Sequence, residues 1–318
     1  MNKFSLNKST KIWFNYAAGA IISALLLWGI YVQVNKQLHS VDRTAWEHTG
    51  SLVFLCLSIF LLPVNLALEA RKWHLLAGSA QPVSYRGAFA SYLAGLAISI
   101  VTPNRIGEYP GRILYLKRKN TFRLISVSVL GVVVQLFTFF FFGIIGLIYL
   151  NLNFHEFGNR LLLAACVFVC AVIGILYWKF EAWLPLLAKN KWARRYNLYT
   201  QLLKRFTTRQ LFNILFISVT RYVVFTAQYL FLLYWMNVSM PLFGGFCVAS
   251  LFFGLMAVIP SIALAELGTR AQVSLFLFHH FSYNTIGILG ATLALWLLNL
   301  VIPSIIGSFL LLRMRLLR

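Results

Sequence analysis

Apolar positions along this chain fall in long unbroken runs, not in the stripes of a soluble amphipathic helix or the alternation of a half-buried strand. The runs cover Ile12–Val34, Ser51–Ala77, Leu124–Leu150, Leu161–Phe180, Leu211–Met236 and Ile286–Leu312. A helix needs roughly 20 mostly apolar residues to cross the hydrocarbon core, so the pattern predicts six membrane-spanning helices. Lys3, Lys8 and Lys11 precede the first run as they would in a secretory leader. That run, however, exceeds the roughly 7–15 apolar residues of a leader, and no small-residue cleavage pattern closes it. It is read as a retained span.

Two further apolar stretches are interrupted. Gly87–Val101 leads into Thr102–Arg112 and a short piece ending at Lys117, and Phe243–Ile259 leads into Pro260–Arg270 and then Ala271–Phe281. Breaks are expected at Pro103, Gly107, Pro110 and Gly111 in the first, and at Pro260 and Gly268 in the second. A helix followed by a return piece too short to cross reads as a re-entrant hairpin, which is tolerated only where protein or a watery cavity covers the broken backbone.

Charge tests this arrangement. With both stretches as hairpins, 23 of the 28 Lys and Arg lie on one side or dip in from it, including both chain ends, and Lys36, Arg43 and Arg160 lie on the other. That asymmetry obeys the positive-inside rule and puts the amino and carboxyl termini in the cytoplasm. The fold class expected is therefore an all-α polytopic membrane protein, one membrane domain over residues 1–318, with six full spans and two hairpins. Residues 1–159 and 160–318 each read as span, span, hairpin, span. Because the first half crosses three times, the second is inverted, and Pro103, Glu108 and Arg112 recur as Pro260, Glu266 and Arg270 at offsets of 157 and 158. Inverted repeats whose broken helices meet at the midplane are a common transporter plan.

Composition agrees: 60% of residues are hydrophobic and 11% charged, against about 25% charged in soluble domains. The formal charge of +21 would suit nucleic acid only if the basic residues gathered on a soluble face. Here they sit in loops between apolar runs, where they attract anionic lipid headgroups. Residues 181–208 place Leu187, Trp192, Tyr196, Tyr199, Leu203 and Phe206 at helical spacing among six basic residues, which reads as an amphipathic helix on the cytoplasmic leaflet. No Cys/His spacing suggests a metal or haem, no motif suggests a cofactor or ordinary catalysis, and the four cysteines lie inside apolar runs.

The charges inside apolar sequence are the candidate site. An ionised side chain at the bilayer centre costs about 2.5–3.5 kcal/mol on insertion scales, so Glu108, Arg112, Arg221, Glu266 and Arg270 need compensation. The i,i+4 spacing puts each hairpin Glu and Arg on one helical face. They serve either as internal ion pairs that pin the hairpins, or as a cavity where arginines hold a phosphate in a bidentate fork and each glutamate takes its arginine when lipid is absent. A helix starting after Pro103 or Pro260 would aim free N–H groups at the same anion. Asn104 and Arg105 join the first cradle, or Arg105 snorkels to the headgroups. Arg221 must meet a glutamate or a lipid phosphate. Arg71 and Lys72 are expected as headgroup anchors, and the deeper Glu69 as partner to a hairpin arginine.

At Glu69–Trp73 with Leu75-Leu76, at Thr102–Arg112 and at Ile259–Arg270, the sequence resembles the transmembrane (flippase) domain of lysylphosphatidylglycerol synthase, also called multiple peptide resistance factor. The resemblance implies lipid handling: in that family the domain is thought to move a modified phospholipid between leaflets of the bacterial inner membrane. It implies no substrate identity. The family's synthases carry a soluble aminoacyltransferase domain after the membrane region, whereas Arg318 directly follows the last span, so transport without synthesis is expected. The expected partner is an anionic phospholipid or polyprenyl lipid, and a homo-oligomer is compatible with the pattern. An intramembrane headgroup or sugar transferase, and a scaffold for a lipid-modifying partner, are the alternatives.

Overall fold

A computed structural model describes residues 28, 31–32, 50–100, 102, 105–116, 121–153, 160–179, 206–259 and 266–312. Among these there is no strand. The helices are α1 (Leu52–Ala80), α2 (Tyr85–Ser99), α3 (Glu108–Tyr115), α4 (Thr121–Asn153), α5 (Arg160–Trp178), α6 (Thr208–Trp235), α7 (Leu242–Val258), α8 (Glu266–Phe278), α9 (Thr285–Trp296) and α10 (Ile302–Leu312), with a π turn at Leu297–Val301 joining the last two. Five stretches are long and apolar enough to cross a bilayer: Leu52–Ala80, Arg123–Asn153, Arg160–Trp178, Thr208–Trp235 and Thr285–Leu311. They coincide with five of the six runs expected, and the chain is an all-α, multi-pass membrane protein. The sixth run, Ile12–Val34, lies largely outside the described residues, as does nearly all of the basic loop 181–208.

Helix starts are written in the sequence. Thr207 and Gln210 form a reciprocal capping box at the head of α6, Ser84 Oγ accepts from Gly87 N at 3.1 Å at the head of α2, and Asn284 Oδ1 accepts from Gly287 N at 2.9 Å at the head of α9. Each satisfies backbone N–H groups that the first turn leaves without a partner. The π turn has a covalent cause: Pro303 has no N–H to give to Asn299, and the Ile302 N–H reaches back to the Leu297 carbonyl instead.

The two interrupted stretches are short helices. α2 and α3 have 15 and 8 residues, and α7 and α8 have 17 and 13. At about 1.5 Å per residue none reaches the roughly 30 Å of a hydrocarbon core. α3 folds back antiparallel on α2 through a glycine crossing. A Cβ on Gly95 would lie 2.5 Å from the Glu108 carbonyl oxygen, and one on Gly111 would lie 2.8 Å from the Gly95 Cα. Gly107 ends the break as the residue that caps α3, but Pro110 and Gly111 stand inside that helix. Proline is tolerated there because a first-turn N–H has no intrahelical partner, and the glycine serves close packing. Gly268 likewise lies within α8, with nothing within 4 Å of the place a Cβ would take. Pro103, Asn104 and Pro260 fall outside the described residues.

Helix pairing follows a regular scheme. α1 packs along α6; α4 packs on α7, and α10 packs on α2. α1 also touches α2 and α4, as α6 touches α7 and α9. Glycines set the two cross-pairs. A Cβ on Gly146 of α4 would collide with the Cys247 carbonyl of α7, and one on Gly307 of α10 would collide with the Leu93 carbonyl of α2. Small residues allow this approach where lipid offers no hydrophobic drive between helices. The largest apolar core joins α4, α6, α7, α8 and α9 around Tyr222, Tyr229, Phe252 and Phe278, so part of the phenylalanine content is internal packing and not lipid-facing.

Candidate functional site

Every third or fourth residue on one face of α1 is polar: Asn65, Glu69 and Lys72 are all buried. Glu69 is the hub. Its Oε2 lies 2.7 Å from Lys72 Nζ and 3.0 Å from Arg221 Nη1, and its Oε1 lies 2.9 Å from Arg112 Nη2. The same Arg112 nitrogen pairs with Glu108 Oε1. Removing an ion from water costs several kcal/mol even after relaxation, and here each carboxylate lies among cations that offset that cost. Lys72 also donates to Gln135 Oε1 on α4 at 3.3 Å.

Arg112 is held more tightly than the rest. Its guanidinium carbon lies 4.8 Å from the Tyr92 ring centroid, 5.4 Å from Trp73 and 5.7 Å from Tyr109, within the range where an aromatic face attracts a cation. The backbone around it is tied in turn: Trp73 Nε1 donates to Ser91 Oγ at 3.0 Å, and that hydroxyl donates to the Arg112 carbonyl at 2.7 Å. α1, α2 and α3 are thereby locked together. Side-chain exposure is 4% for Arg112 and 3% for Glu69, against 19% for Glu108 and 20% for Arg221. The first pair is a fixed clamp, and the second pair faces open space.

That space is a cavity of about 250 Å³ between the helices. Glu69 and Lys72 from α1, Arg105 and Glu108 from the first hairpin, Arg221 from α6 and Arg270 from α8 all line it, with Asn65, Tyr92, Gln135 and Asn299 among the other polar groups. Cations outnumber carboxylates among these described lining residues. Arg105 enters it from a left-handed backbone (φ 55°), a conformation costing a non-glycine residue roughly 1–2 kcal/mol. Its N–H donates to the Thr102 carbonyl at 3.2 Å, and Thr102 Oγ1 accepts from Gly107 N at 2.9 Å, which holds the turn in place.

The sequence expectations meet this geometry unevenly. Glu69 is the partner of a hairpin arginine as expected, Arg221 meets a glutamate, and the Glu108–Arg112 pair forms. Arg105 and Arg270 reach one cavity from different hairpins, while Arg112 does not line it. The side chain of Glu266 lies outside what is described. Two expectations need correction. Arg71 is exposed, but Lys72 is buried in the charge cluster and anchors no headgroup. The hairpin helix starts at Glu108, not directly after Pro103, so its N-terminal turn already holds a carboxylate. Sequence reasoning passed over Asn65, Gln135, Gln228 and Asn299, although Asn65, Glu69 and Lys72 at spacings of 4 and 3 trace a single helical face.

Comparison with curated proteins returned no match. Residues 16–307 match the family described as lysylphosphatidylglycerol synthase TM region. The matched segment holds the hairpin helices, the charged cavity and all but the end of the last span, and this chain belongs to that family of membrane proteins linked to lipid handling or modification.

Proposed function

We propose that this protein carries an anionic, phosphate-bearing headgroup, of a phospholipid or a polyprenyl lipid, from one leaflet of a bacterial inner membrane to the other, while the lipid chains stay in the bilayer. The observation that carries the reading is the cavity in which Arg105, Arg221 and Arg270 arrive from three separate elements. Arginine forks match phosphate oxygens, and a cavity of about 250 Å³ suits a headgroup better than a whole lipid. The helix pairing supports an inverted-repeat transporter: exchanging α1 with α6, α2 with α7, and α4 with the α9–α10 helix maps the pairs onto one another. In this reading the hairpins are re-entrant from opposite leaflets, and both termini are cytoplasmic. Glu69 and Glu108 hold the arginines while no lipid is bound, and the phosphate competes for Arg221, Arg105 and Arg270. Arg112 acts as the clamp that positions both carboxylates.

The test is leaflet exchange of a fluorescent phospholipid and of a fluorescent polyprenyl phosphate in reconstituted vesicles, with mass spectrometry of the lipids afterwards. Exchange faster than in protein-free vesicles with unchanged lipid masses supports transport. New lipid masses would favour a transferase instead.

A further inference from the structure

From the charged cavity, whose lining includes Asn65 and Asn299, a row of uncharged side chains continues into the bundle. Arg221 Nε donates to Asn65 Oδ1 at 3.1 Å, Asn65 Nδ2 to Asn299 Oδ1 at 2.7 Å, Asn299 Nδ2 to Gln228 Oε1 at 3.0 Å, and Gln228 Nε2 to the Ser58 carbonyl at 3.0 Å. Asn65 and Gln228 are buried. An amide without a partner in apolar surroundings costs roughly 2–7 kcal/mol, so three of them in a bundle that could pack leucines there represent a sizeable liability. Here each amide answers the next. The row passes from α6 to α1, to the π turn, back to α6 and back to α1, and so ties together the two long paired helices and the last span. From Glu69 to Ser58 along α1 it covers about 16 Å at 1.5 Å per residue, roughly half the hydrocarbon thickness.

We propose that Asn65, Asn299 and Gln228 are the uncharged half of the headgroup's path, closed in this structure by bonding to one another. The inference rests on the transport reading. Arg221 joins the two halves: through Nη1 it holds Glu69, and through Nε it holds Asn65. A phosphate that draws Arg221 away takes from Asn65 its charge-assisted bond, and the row loosens at its first link. Parted, each amide offers two N–H donors to phosphate oxygens. Because amides carry no charge, they guide the headgroup without trapping it as a further arginine would. The polarity thus falls from charged to neutral along the route out of the cavity.

Vesicle exchange of a fluorescent phospholipid by Asn299→Leu and Gln228→Met, measured beside binding of the same phospholipid by native mass spectrometry, tests this. Each variant is expected to slow exchange about tenfold, the equivalent of one net hydrogen bond, and Gln228→Met, whose side chain is not among those lining the cavity, to keep binding within about twofold of wild type. Exchange at the wild-type rate in both variants would overturn the amide path and leave the transport reading intact. Absence of exchange in the wild type overturns both. Where the apolar variants do not fold, Ser58→Cys in a Cys56→Ser background reads the same event. Ser58 is fully buried at the end of the row, so a membrane-impermeant maleimide is expected to label Cys at this position several-fold faster when the phospholipid is present. Equal rates with and without lipid would overturn the proposal.

Discussion

The two interrupted helices share a Glu-x-x-x-Arg spacing and differ in what surrounds it. In the first, Arg112 is shared by two carboxylates and boxed by three aromatic rings. In the second, Arg270 lines the cavity, and α8 packs into an apolar core where Tyr229 bonds Thr292. On the proposed inverted repeat, the offsets of 157 and 158 set Glu69 of α1 opposite Thr226 or Ala227 of α6, neither of them charged. In the proposed inverted repeat the helix pairings match between the halves, while the described ion pairs centre on Glu69 of α1. Glu69, Lys72, Glu108 and Arg112 of the cluster come from α1 and α3 and meet Arg221 from α6, while Arg270 lines the same cavity from α8. A helix pairing can recur wherever shapes match, whereas a buried ion must be compensated wherever it occurs.

The largest expected break in this contrast is Glu69→Ala. It leaves Lys72, Arg112 and Arg221 without their common counter-ion, and stranding buried charge costs about 3–5 kcal/mol. Little folded protein is expected by fluorescence-detected size exclusion, while Thr226→Ala costs only about 1 kcal/mol in thermal unfolding. Arg112→Lys is next. It keeps the charge and loses the planar fork and the aromatic stacking, an expected loss of about 2 kcal/mol, and Arg270→Lys is expected to lose less than half of that. Gly95→Ala forces a methyl against the Glu108 carbonyl and costs about 1–3 kcal/mol. A glycine of the second interrupted stretch carries the opposite sign: Gly268→Ala has room in α8 and is expected to stabilise by about 0.5–1 kcal/mol. Tyr229→Phe, which removes the 2.7 Å bond to Thr292, is a small loss of about 1 kcal/mol.

Much of this was legible in the residues. Apolar runs placed five spans and both short-helix regions because lipid demands length and uniformity. Charges within apolar sequence exposed Glu69, Glu108, Arg112, Arg221 and Arg270, since a buried ion has no cheap alternative explanation. Lys72 misled because it follows Arg71 near a helix end, where basic residues ordinarily mark a membrane face; only its register with Glu69, three residues back, tells the two apart. Asn65, Gln228 and Asn299 stayed hidden because an amide in an apolar run gives no sign of its partner, and their meaning arises from bonds between residues 234 and 71 apart in sequence. Pro110 and Gly111 looked like breaks, and a first helical turn with a glycine crossing used both.

In the proposed reading Arg270 of the second hairpin handles the headgroup with Arg105 and Arg221, while Arg112 of the first holds the site together. Leaflet exchange of a fluorescent phospholipid by Arg270→Ala, compared with wild type at equal amounts of folded protein, tests it most directly. The account predicts exchange about tenfold slower, as for the loss of one charge-assisted contact. Exchange at the wild-type rate would contradict it.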